Sequence, residues 1–120
     1  MPLQCETLVV HCMDYRLQAY LNQWMEETLP ARSYDRVALA GGVYDIYNVI
    51  SQVDIAVRLH EIQKVVFINH ENCGAYGSEG NNERHEFDLR MAREKVNMLF
   101  PHLNVDLFYL NLDGSFERID

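Results

Sequence analysis

The sequence has 120 residues, 48% of them hydrophobic, which is enough for one packed core, so we predict a single domain over residues 1–120. Its 18 acidic and 10 basic residues give a net charge of -8, which disfavours nucleic acid or an anionic membrane as a partner. No apolar run approaches the roughly 20 residues that cross a bilayer. The first residues lack the basic start and apolar centre of a signal peptide, so we expect a cytoplasmic protein.

The first half of the chain alternates strand-like and helix-like segments. Residues 7–11 form a short β-branched apolar run, which predicts a strand. Apolar residues at helical spacing predict a helix within residues 17–29, and a proline closes it. Residues 36–40 predict a second strand that stops at two glycines, and the apolar spacing over residues 49–57 predicts a second helix.

The second half continues the alternation and ends in a hairpin. Residues 64–69 are apolar without alternation, as expected for a strand that helices cover on both sheet faces. The spacing over residues 89–99 predicts a third helix, and residues 105–112 predict a fourth strand. Asp113-Gly114 is typical of a two-residue hairpin turn, so residues 115–119 should return as an antiparallel edge strand.

Alternating strands and helices predict an α/β fold with three layers, in which helices flank a mostly parallel sheet. We expect the strand order 2-1-3-4, with the antiparallel strand at the edge. In such a sheet, ligands bind at the carboxyl ends of the strands where the winding reverses, which is between strands one and three. Cys12 and His70 follow these two strands and should therefore meet in one crevice.

The three cysteines are an odd number, and a reducing compartment keeps them as thiols, which favours metal ligation or catalysis over a disulfide framework. Cys5 precedes the first strand, and we interpret it as an ordinary small buried residue. His70 and Cys73 are separated by two residues, a gap that lets one loop supply two ligands to the same metal ion. With Cys12 in the same crevice, the sequence predicts a zinc site.

Three protein ligands leave a fourth zinc position open, which is typical of catalytic sites because zinc lowers the pKa of bound water from about 15.7 to about 7. Asp14 and Arg16 lie two residues apart in the turn after Cys12, which we interpret as extended. Their side chains should form a charge-assisted pair. A surface ion pair of little energetic consequence is the alternative.

The motifs resemble those of the β-class carbonic anhydrases. The segment 12–16, Cys-Met-Asp-Tyr-Arg, is similar to their Cys-x-Asp-Ser-Arg motif, and the segment 70–75, His-Glu-Asn-Cys-Gly-Ala, is similar to their His-x-x-Cys-Gly-Ala motif. Between them, the segment 40–42, Ala-Gly-Gly, resembles the end of their Arg-Asn-Ala-Gly-Asn turn. The motifs occur in the family's order, and the resemblance covers nearly the whole chain.

The resemblance implies a zinc lyase that hydrates carbon dioxide to bicarbonate by zinc-bound hydroxide, as a carbonate dehydratase does. It implies Cys12, His70 and Cys73 as metal ligands. Asp14 would accept a hydrogen bond from the hydroxide, or occupy the fourth zinc position in a closed form, and Arg16 would hold Asp14 away from zinc. The resemblance also implies a dimer whose active sites lie near the subunit interface. We expect a homodimer or a higher homo-oligomer, because a small sheet with an uncovered apolar helix face gains from burying it against a second copy.

The departures from the family motifs leave other functions open. Tyr15 stands where the family has serine, and Gly42 stands where it has asparagine. The same zinc site would serve hydrolysis of carbonyl sulfide or carbon disulfide. A metal-free transferase would use Cys12 as nucleophile, His70 as base and Asp14 to orient it. A closed four-ligand site with Asp14 on zinc would be structural or regulatory.

Overall fold

The computed structural model describes residues 4–120. Residues 1–3, on which the interpretation of the N-terminus partly rests, lie outside the described part. The strands are β1 (Thr7–Cys12), β2 (Tyr34–Leu39), β3 (Lys64–His70), β4 (Asn104–Leu110) and β5 (Phe116–Ile119). The helices are α1 (Gln18–Thr28), α2 (Ile46–His60) and α3 (Asn82–Leu99).

The strands form one five-stranded sheet in the order β2-β1-β3-β4-β5. β1 pairs in parallel with β2 and β3, β3 pairs in parallel with β4, and β4 pairs antiparallel with β5. The predicted α/β fold, the strand order and the antiparallel edge strand are confirmed. The winding reverses between β1 and β3, and both strands end there at residues of the predicted site, Cys12 and His70.

Helices cover both faces of the sheet and make the three layers. Along β1, Leu8 and Val10 pack into the core that α2 and α3 cover, whereas Val9 faces the core that α1 covers. All six residues of β1 are buried, which explains its near-continuous apolar run. Within the described residues 4–120, no helix has both the length and the apolar character that a bilayer crossing requires.

The hairpin is present, but the predicted two-residue turn at Asp113-Gly114 is wrong. The Asn111 amide donates to the Ser115 carbonyl at 2.9 Å, so the chain reverses over three residues, 112–114. Gly114 adopts a φ of 93°. The Asp113 carboxylate accepts hydrogen bonds from the Ser115 amide at 2.9 Å and the Ser115 hydroxyl at 2.7 Å. These local bonds favour the longer turn, which shortens β4 to Leu110.

His11 is a buried polar residue that fixes the end of β1. Its side chain is 1% exposed, and Nδ1 donates to the Cys12 carbonyl at 2.8 Å while Nε2 accepts from Arg36 Nε at 2.8 Å. Burial lowers the pKa of His11, and the nearby Arg36 charge lowers it further. A neutral imidazole satisfies both bonds, so Nδ1 holds the Cys12 carbonyl while Nε2 joins β1 to Arg36 on β2.

Gly42 forms the turn between β2 and α2 and packs against the end of β3. It adopts a φ of 62°, in the left-handed region that favours glycine. A Cβ at this position would lie 3.0 Å from the Ile68 carbonyl oxygen and would clash with Asn69 Oδ1. The same Oδ1 accepts a hydrogen bond from the Val43 amide at 3.1 Å. Glycine therefore allows the turn to lie against the strand that carries His70.

We expect Gly42→Ala to lower the free energy of unfolding by about 2 kcal/mol or more, because the new Cβ brings backbone strain and displaces Asn69. Urea denaturation measures this change. Gly74→Ala is the matched control, since a Cβ there meets nothing within 4 Å, and it should change the free energy by less than about 1 kcal/mol. Equal effects of the two substitutions would contradict the role assigned to Gly42.

Candidate metal centre

Three residues of the predicted site converge at the carboxyl end of the sheet. Cys12 ends β1, His70 ends β3, and Cys73 lies in the loop after β3. Their donor atoms all lie within 4.8 Å of one another. The three residues are only 6%, 2% and 4% exposed, respectively. Two thiols and an imidazole that meet in a buried position form a donor set that zinc prefers.

The orientation of the His70 ring leaves one nitrogen available for a cation. Nδ1 donates to the Glu71 carbonyl at 2.7 Å, so in the neutral ring Nε2 is the unprotonated nitrogen. Nε2 is buried and has no hydrogen-bond partner among residues 4–120. An unpartnered buried nitrogen is costly unless something binds it. The residues present therefore fit a metal ion at Nε2.

The backbone around the site brings the two sulfur atoms together. Asn72 adopts a φ of 57°, which turns the chain between the end of β3 and Cys73. The Gly41 amide donates to Cys12 Sγ at 3.3 Å, so the turn after β2 also faces the site. A backbone amide directed at sulfur stabilises a negative charge on it.

Electrostatics favour negative charge at Cys12. A hydrogen bond from Cys73 lowers the pKa of Cys12 to about 3, although burial opposes it. The same hydrogen bond and burial raise the pKa of Cys73, because a second thiolate would lie beside the first. Burial alone would lower the pKa of His70, but Cys12 and the Glu71 carbonyl outweigh it and raise the pKa. A divalent cation would offset the repulsion and allow both thiolates to form.

Asp14 and Arg16 form the predicted charge-assisted pair beside this cluster. Arg16 Nη2 donates to Asp14 Oδ2 at 2.7 Å, and Arg16 Nε donates to Oδ1 at 3.1 Å and Oδ2 at 3.2 Å. These bonds lower the pKa of Asp14 to about 2, so the carboxylate is ionised at neutral pH. Asp14 Oδ2 lies 3.9 Å from His70 Nε2. The pair therefore borders the cluster directly.

The turn that carries the pair is helical, and the prediction of an extended turn is wrong. Residues Tyr15–Leu17 form a short 3-10 helix, and Asp14 caps its start by accepting from the Arg16 amide at 2.9 Å. This cap is the reason for the helical turn, because the carboxylate satisfies an amide that otherwise has no partner. It also brings the Arg16 guanidinium back onto Asp14.

Asn72 holds Arg16 in place, which the sequence analysis did not predict. Arg16 Nη1 donates to Asn72 Oδ1 at 3.0 Å, and Arg16 Nη2 donates to the Asn72 carbonyl at 2.8 Å. In the sequence, only the position of Asn72 between His70 and Cys73 indicated that Asn72 lies near the site. Through these bonds, the loop that carries Cys73 also orients Asp14.

A buried polar network behind β3 was also missed. Asn69 Nδ2 donates to the Tyr76 hydroxyl at 3.0 Å and to His85 Nδ1 at 2.9 Å. The Tyr76 hydroxyl in turn donates to Asp88 Oδ2 at 2.8 Å. His85 packs between the rings of Tyr76 and Tyr109, at centroid distances of 4.1 and 5.4 Å. The network ties α3 to Asn69, the neighbour of His70.

Comparison with known sequences identifies the family. The profile of a family described as "Putative carbonic anhydrase" matches residues 3–120. The chain belongs to this family. An uncharacterized protein of Rickettsia conorii is 30% identical over 97% of this chain and 73% of its own length. An uncharacterized protein of Rickettsia bellii is 28% identical over 97% of this chain and 82% of its own length.

Solved structures share the fold of this carbonic anhydrase family member. A carbonic anhydrase from Glaciozyma antarctica superposes with a TM-score of 0.73 at 14% identity, over 100% of this chain and 85% of its own. A carbonic anhydrase from Streptococcus mutans superposes with a TM-score of 0.70 at 17% identity, over 100% of this chain and 86% of its own. The apo form of a carbon disulfide hydrolase superposes with a TM-score of 0.67 at 10% identity, over 100% of this chain and 81% of its own. The predicted resemblance to β-class carbonic anhydrases is confirmed.

The buried His85 should make stability depend on pH. Burial, with a smaller effect of His70, lowers the pKa of His85 to about 4, whereas an unfolded chain has a pKa near 6.5. As pH falls from about 6.5 to about 4, the unfolded chain binds the proton first, so stability is lost over this window. We expect the loss from His85 to reach at most about 3 kcal/mol.

Urea denaturation between pH 7 and pH 4 measures this loss, which His85→Gln should remove without changing the rest of the profile. His102 is exposed, so His102→Gln is the control and should leave the wild-type profile unchanged. A His85→Gln profile that falls as steeply as the wild-type profile would show that His85 is not the responsible group.

Proposed function

We propose that this protein binds one zinc ion through Cys12, His70 and Cys73 and hydrates carbon dioxide to bicarbonate. The proposal rests on one observation: two thiols and an unpartnered imidazole nitrogen converge beside a carboxylate that an arginine holds. Three protein ligands leave a position for water or substrate. In this proposal, residues 1–120 form one zinc domain. We also propose a cytoplasmic location, because the reducing cytoplasm would keep Cys12 and Cys73 as free thiols.

When bound, zinc supplies Lewis acidity, which makes water a nucleophile at neutral pH. Asp14 supplies the orientation. Because its pKa lies at about 2, Asp14 is only a hydrogen-bond acceptor at neutral pH. The Arg16 amide, Nε and Nη2 occupy three of the roughly four acceptor sites of the Asp14 carboxylate, and the remaining site can accept from the attacking water. Asp14 thereby fixes the direction in which the water presents its own lone pair.

Arg16 keeps Asp14 away from the fourth metal position. The guanidinium binds both Asp14 oxygens, and Asn72 anchors the same guanidinium from the other side. For Asp14 to ligate the metal, it would have to give up these charge-assisted hydrogen bonds. The arrangement therefore supports an open catalytic site over the closed structural site that the sequence left as an alternative.

We propose a homodimer or a larger homo-oligomer. Four large apolar side chains near the site are exposed: Met13 at 62%, Tyr15 at 87%, Tyr44 at 45% and Tyr47 at 83%. If these side chains form one apolar surface, burying it against a second copy would favour association. One solved chain that shares the fold, with a TM-score of 0.59 at 15% identity, comes from the structures of two tetrameric β-carbonic anhydrases of Sordaria macrospora. A second copy would cover the exposed side chains beside Asp14.

Hydrolysis of carbon disulfide or carbonyl sulfide is the second candidate function, because one structure with the same fold is a carbon disulfide hydrolase. That reaction needs the same nucleophilic water and the same Asp14 acceptor. The identity of the substrate separates the two functions. Zinc-loaded protein that consumes carbon disulfide but does not hydrate carbon dioxide would favour this candidate.

The catalytic proposal predicts two classes of variant, separated by zinc content. Wild-type protein should hold one tightly bound zinc per chain by elemental analysis, and Cys12→Ala or Cys73→Ala should lose it. Asp14→Ala and Arg16→Ala should keep zinc but lower the hydration rate, measured by stopped flow, by at least about tenfold. Asn72→Gly keeps the left-handed turn and removes one anchor of Arg16, so its rate should fall less.

Two outcomes would contradict the catalytic proposal. If zinc-loaded Asp14→Ala and Arg16→Ala both hydrate carbon dioxide at the wild-type rate, Asp14 and Arg16 form only a surface ion pair. Zinc-free wild-type protein with selective alkylation of Cys12 over Cys73 would instead support the metal-free nucleophilic cysteine.

The oligomer predicts a mass of at least twice 14.0 kDa at micromolar concentration, measured by sedimentation. Tyr47→Glu should shift the mass towards the monomer, because it places charge in the proposed contact. Met98→Glu is the matched control, since Met98 is 77% exposed near the end of α3, and it should leave the mass unchanged. A wild-type monomer with full activity would contradict the oligomer.

A further inference from the structure

A second cluster of metal-binding side chains lies at the opposite end of the sheet. Cys5, Asp35 and His60 place their donor atoms within 4.8 Å of one another. Cys5 packs against the main core as the sequence interpretation expected, but it is only partly buried, and its sulfur lies close to two potential metal ligands. The cluster lies at the start of β1, roughly 20 Å from Cys12 along a strand that rises about 3.3 Å per residue.

Three separate segments hold the three side chains in place. Cys5 lies just before β1, Asp35 lies near the start of β2, and His60 is the last residue of α2. The Cys5 amide donates to the His60 carbonyl at 3.0 Å, so the backbone joins two of the segments directly. The pairing of Leu8 with Asp35 fixes the third segment through the sheet. The donor atoms therefore converge on a rigid framework.

The contacts among these side chains leave the cysteine sulfur available. His60 Nδ1 lies 2.7 Å from Asp35 Oδ2, as a hydrogen-bonded pair does. Cys5 Sγ donates to the Thr7 carbonyl at 3.7 Å and lies beside Asp35, and burial together with the Asp35 carboxylate raises the pKa of the Cys5 thiol. A cation that offsets the Asp35 charge therefore favours the thiolate. Donor atoms that share one zinc lie about 3.5 Å apart. Small side-chain rotations from the observed positions therefore reach that geometry.

The chemistry of the donors selects the class of cation. A thiolate, an imidazole and a carboxylate are all ligands that zinc accepts, and a soft sulfur disfavours magnesium and calcium. A thiolate and a carboxylate together carry two negative charges, so a divalent cation gives a neutral site. Binding releases the Cys5 proton to solvent, because the thiolate is the ligand.

Solvent reaches the cluster from two sides. A surface cavity of about 240 Å³ is lined in part by Asp35 and His60, and another of about 360 Å³ is lined in part by Cys5. Both exceed the volume of about 30 Å³ that one water occupies in the liquid. A cation can therefore enter, and water can complete its coordination shell.

We propose that Cys5, Asp35 and His60 form a second binding site for a divalent cation of the zinc class, distinct from the catalytic centre. The cation joins the segment before β1 to β2 and to the end of α2. The partial exposure of Asp35 and His60, at 29% and 31% of their side chains, makes this site weaker than the buried cluster at the other end. It fills only when the cation is supplied in excess.

The test is a cobalt titration of untagged, full-length protein that already holds its one tightly bound zinc. We expect one further equivalent of cobalt by equilibrium dialysis, with the absorption band that a thiolate bound to cobalt produces. Cys5→Ser should abolish the band, and Asp35→Asn or His60→Gln should weaken binding at least tenfold. His102→Gln, at an exposed histidine, should bind cobalt as wild type does.

The result that overturns the proposal is either no second equivalent of cobalt or an equivalent that persists in both Cys5→Ser and His60→Gln. Cobalt that displaces zinc from the catalytic centre is recognised because its band survives Cys5→Ser and zinc appears in the dialysate. Circular dichroism verifies that each variant folds. If His60→Gln fails to fold, Cys5→Ser, which changes one atom of a partly buried side chain, decides the question.

Discussion

Backbone hydrogen bonds pair β1 with β3 in parallel, and the register of this pair places the donor atoms of the candidate metal centre. The register runs from Thr7 opposite Lys64 to His11 opposite Ile68, so Cys12 is level with Asn69 and next to His70. Since α1 covers one sheet face and α2 and α3 cover the other, the strand ends between them remain accessible. Cys73 then needs only the left-handed turn at Asn72 to reach the same point.

Arg16 connects the metal-binding loop to the carboxylate beside it. Its guanidinium binds Asp14 on one side and both the side chain and carbonyl of Asn72 on the other. Any displacement of the loop between His70 and Cys73 therefore moves Arg16 and with it Asp14. The position of the carboxylate is coupled to the position of a proposed ligand, which keeps the two parts of the site in one geometry.

The two ends of the sheet differ in burial, and the difference separates their chemistry. At the carboxyl end, buried thiols and an unpartnered His70 nitrogen favour tight ligation, and a polar network behind β3 supports the strand that carries His70. At the amino end, Cys5 lies beside the partly exposed pair of Asp35 and His60, where water competes for the donor atoms. Metal held at the first end is a candidate for catalysis, whereas metal at the second would join segments of the fold.

The sequence determined the features that depend on local periodicity and short spacing. Buried runs and turn residues predicted the strands and helices and hence the α/β fold, and the gap between His70 and Cys73 predicted that one loop supplies two metal ligands. Only the tertiary structure decided which distant side chains meet: Asn72 with Arg16, Asn69 with His85, and Cys5 with Asp35 and His60. It also decided the length of the hairpin turn, where local hydrogen bonds of Asp113 outweighed the two-residue signal. The physical reason is that such contacts depend on strand register and side-chain rotamers, which periodicity along one segment does not specify.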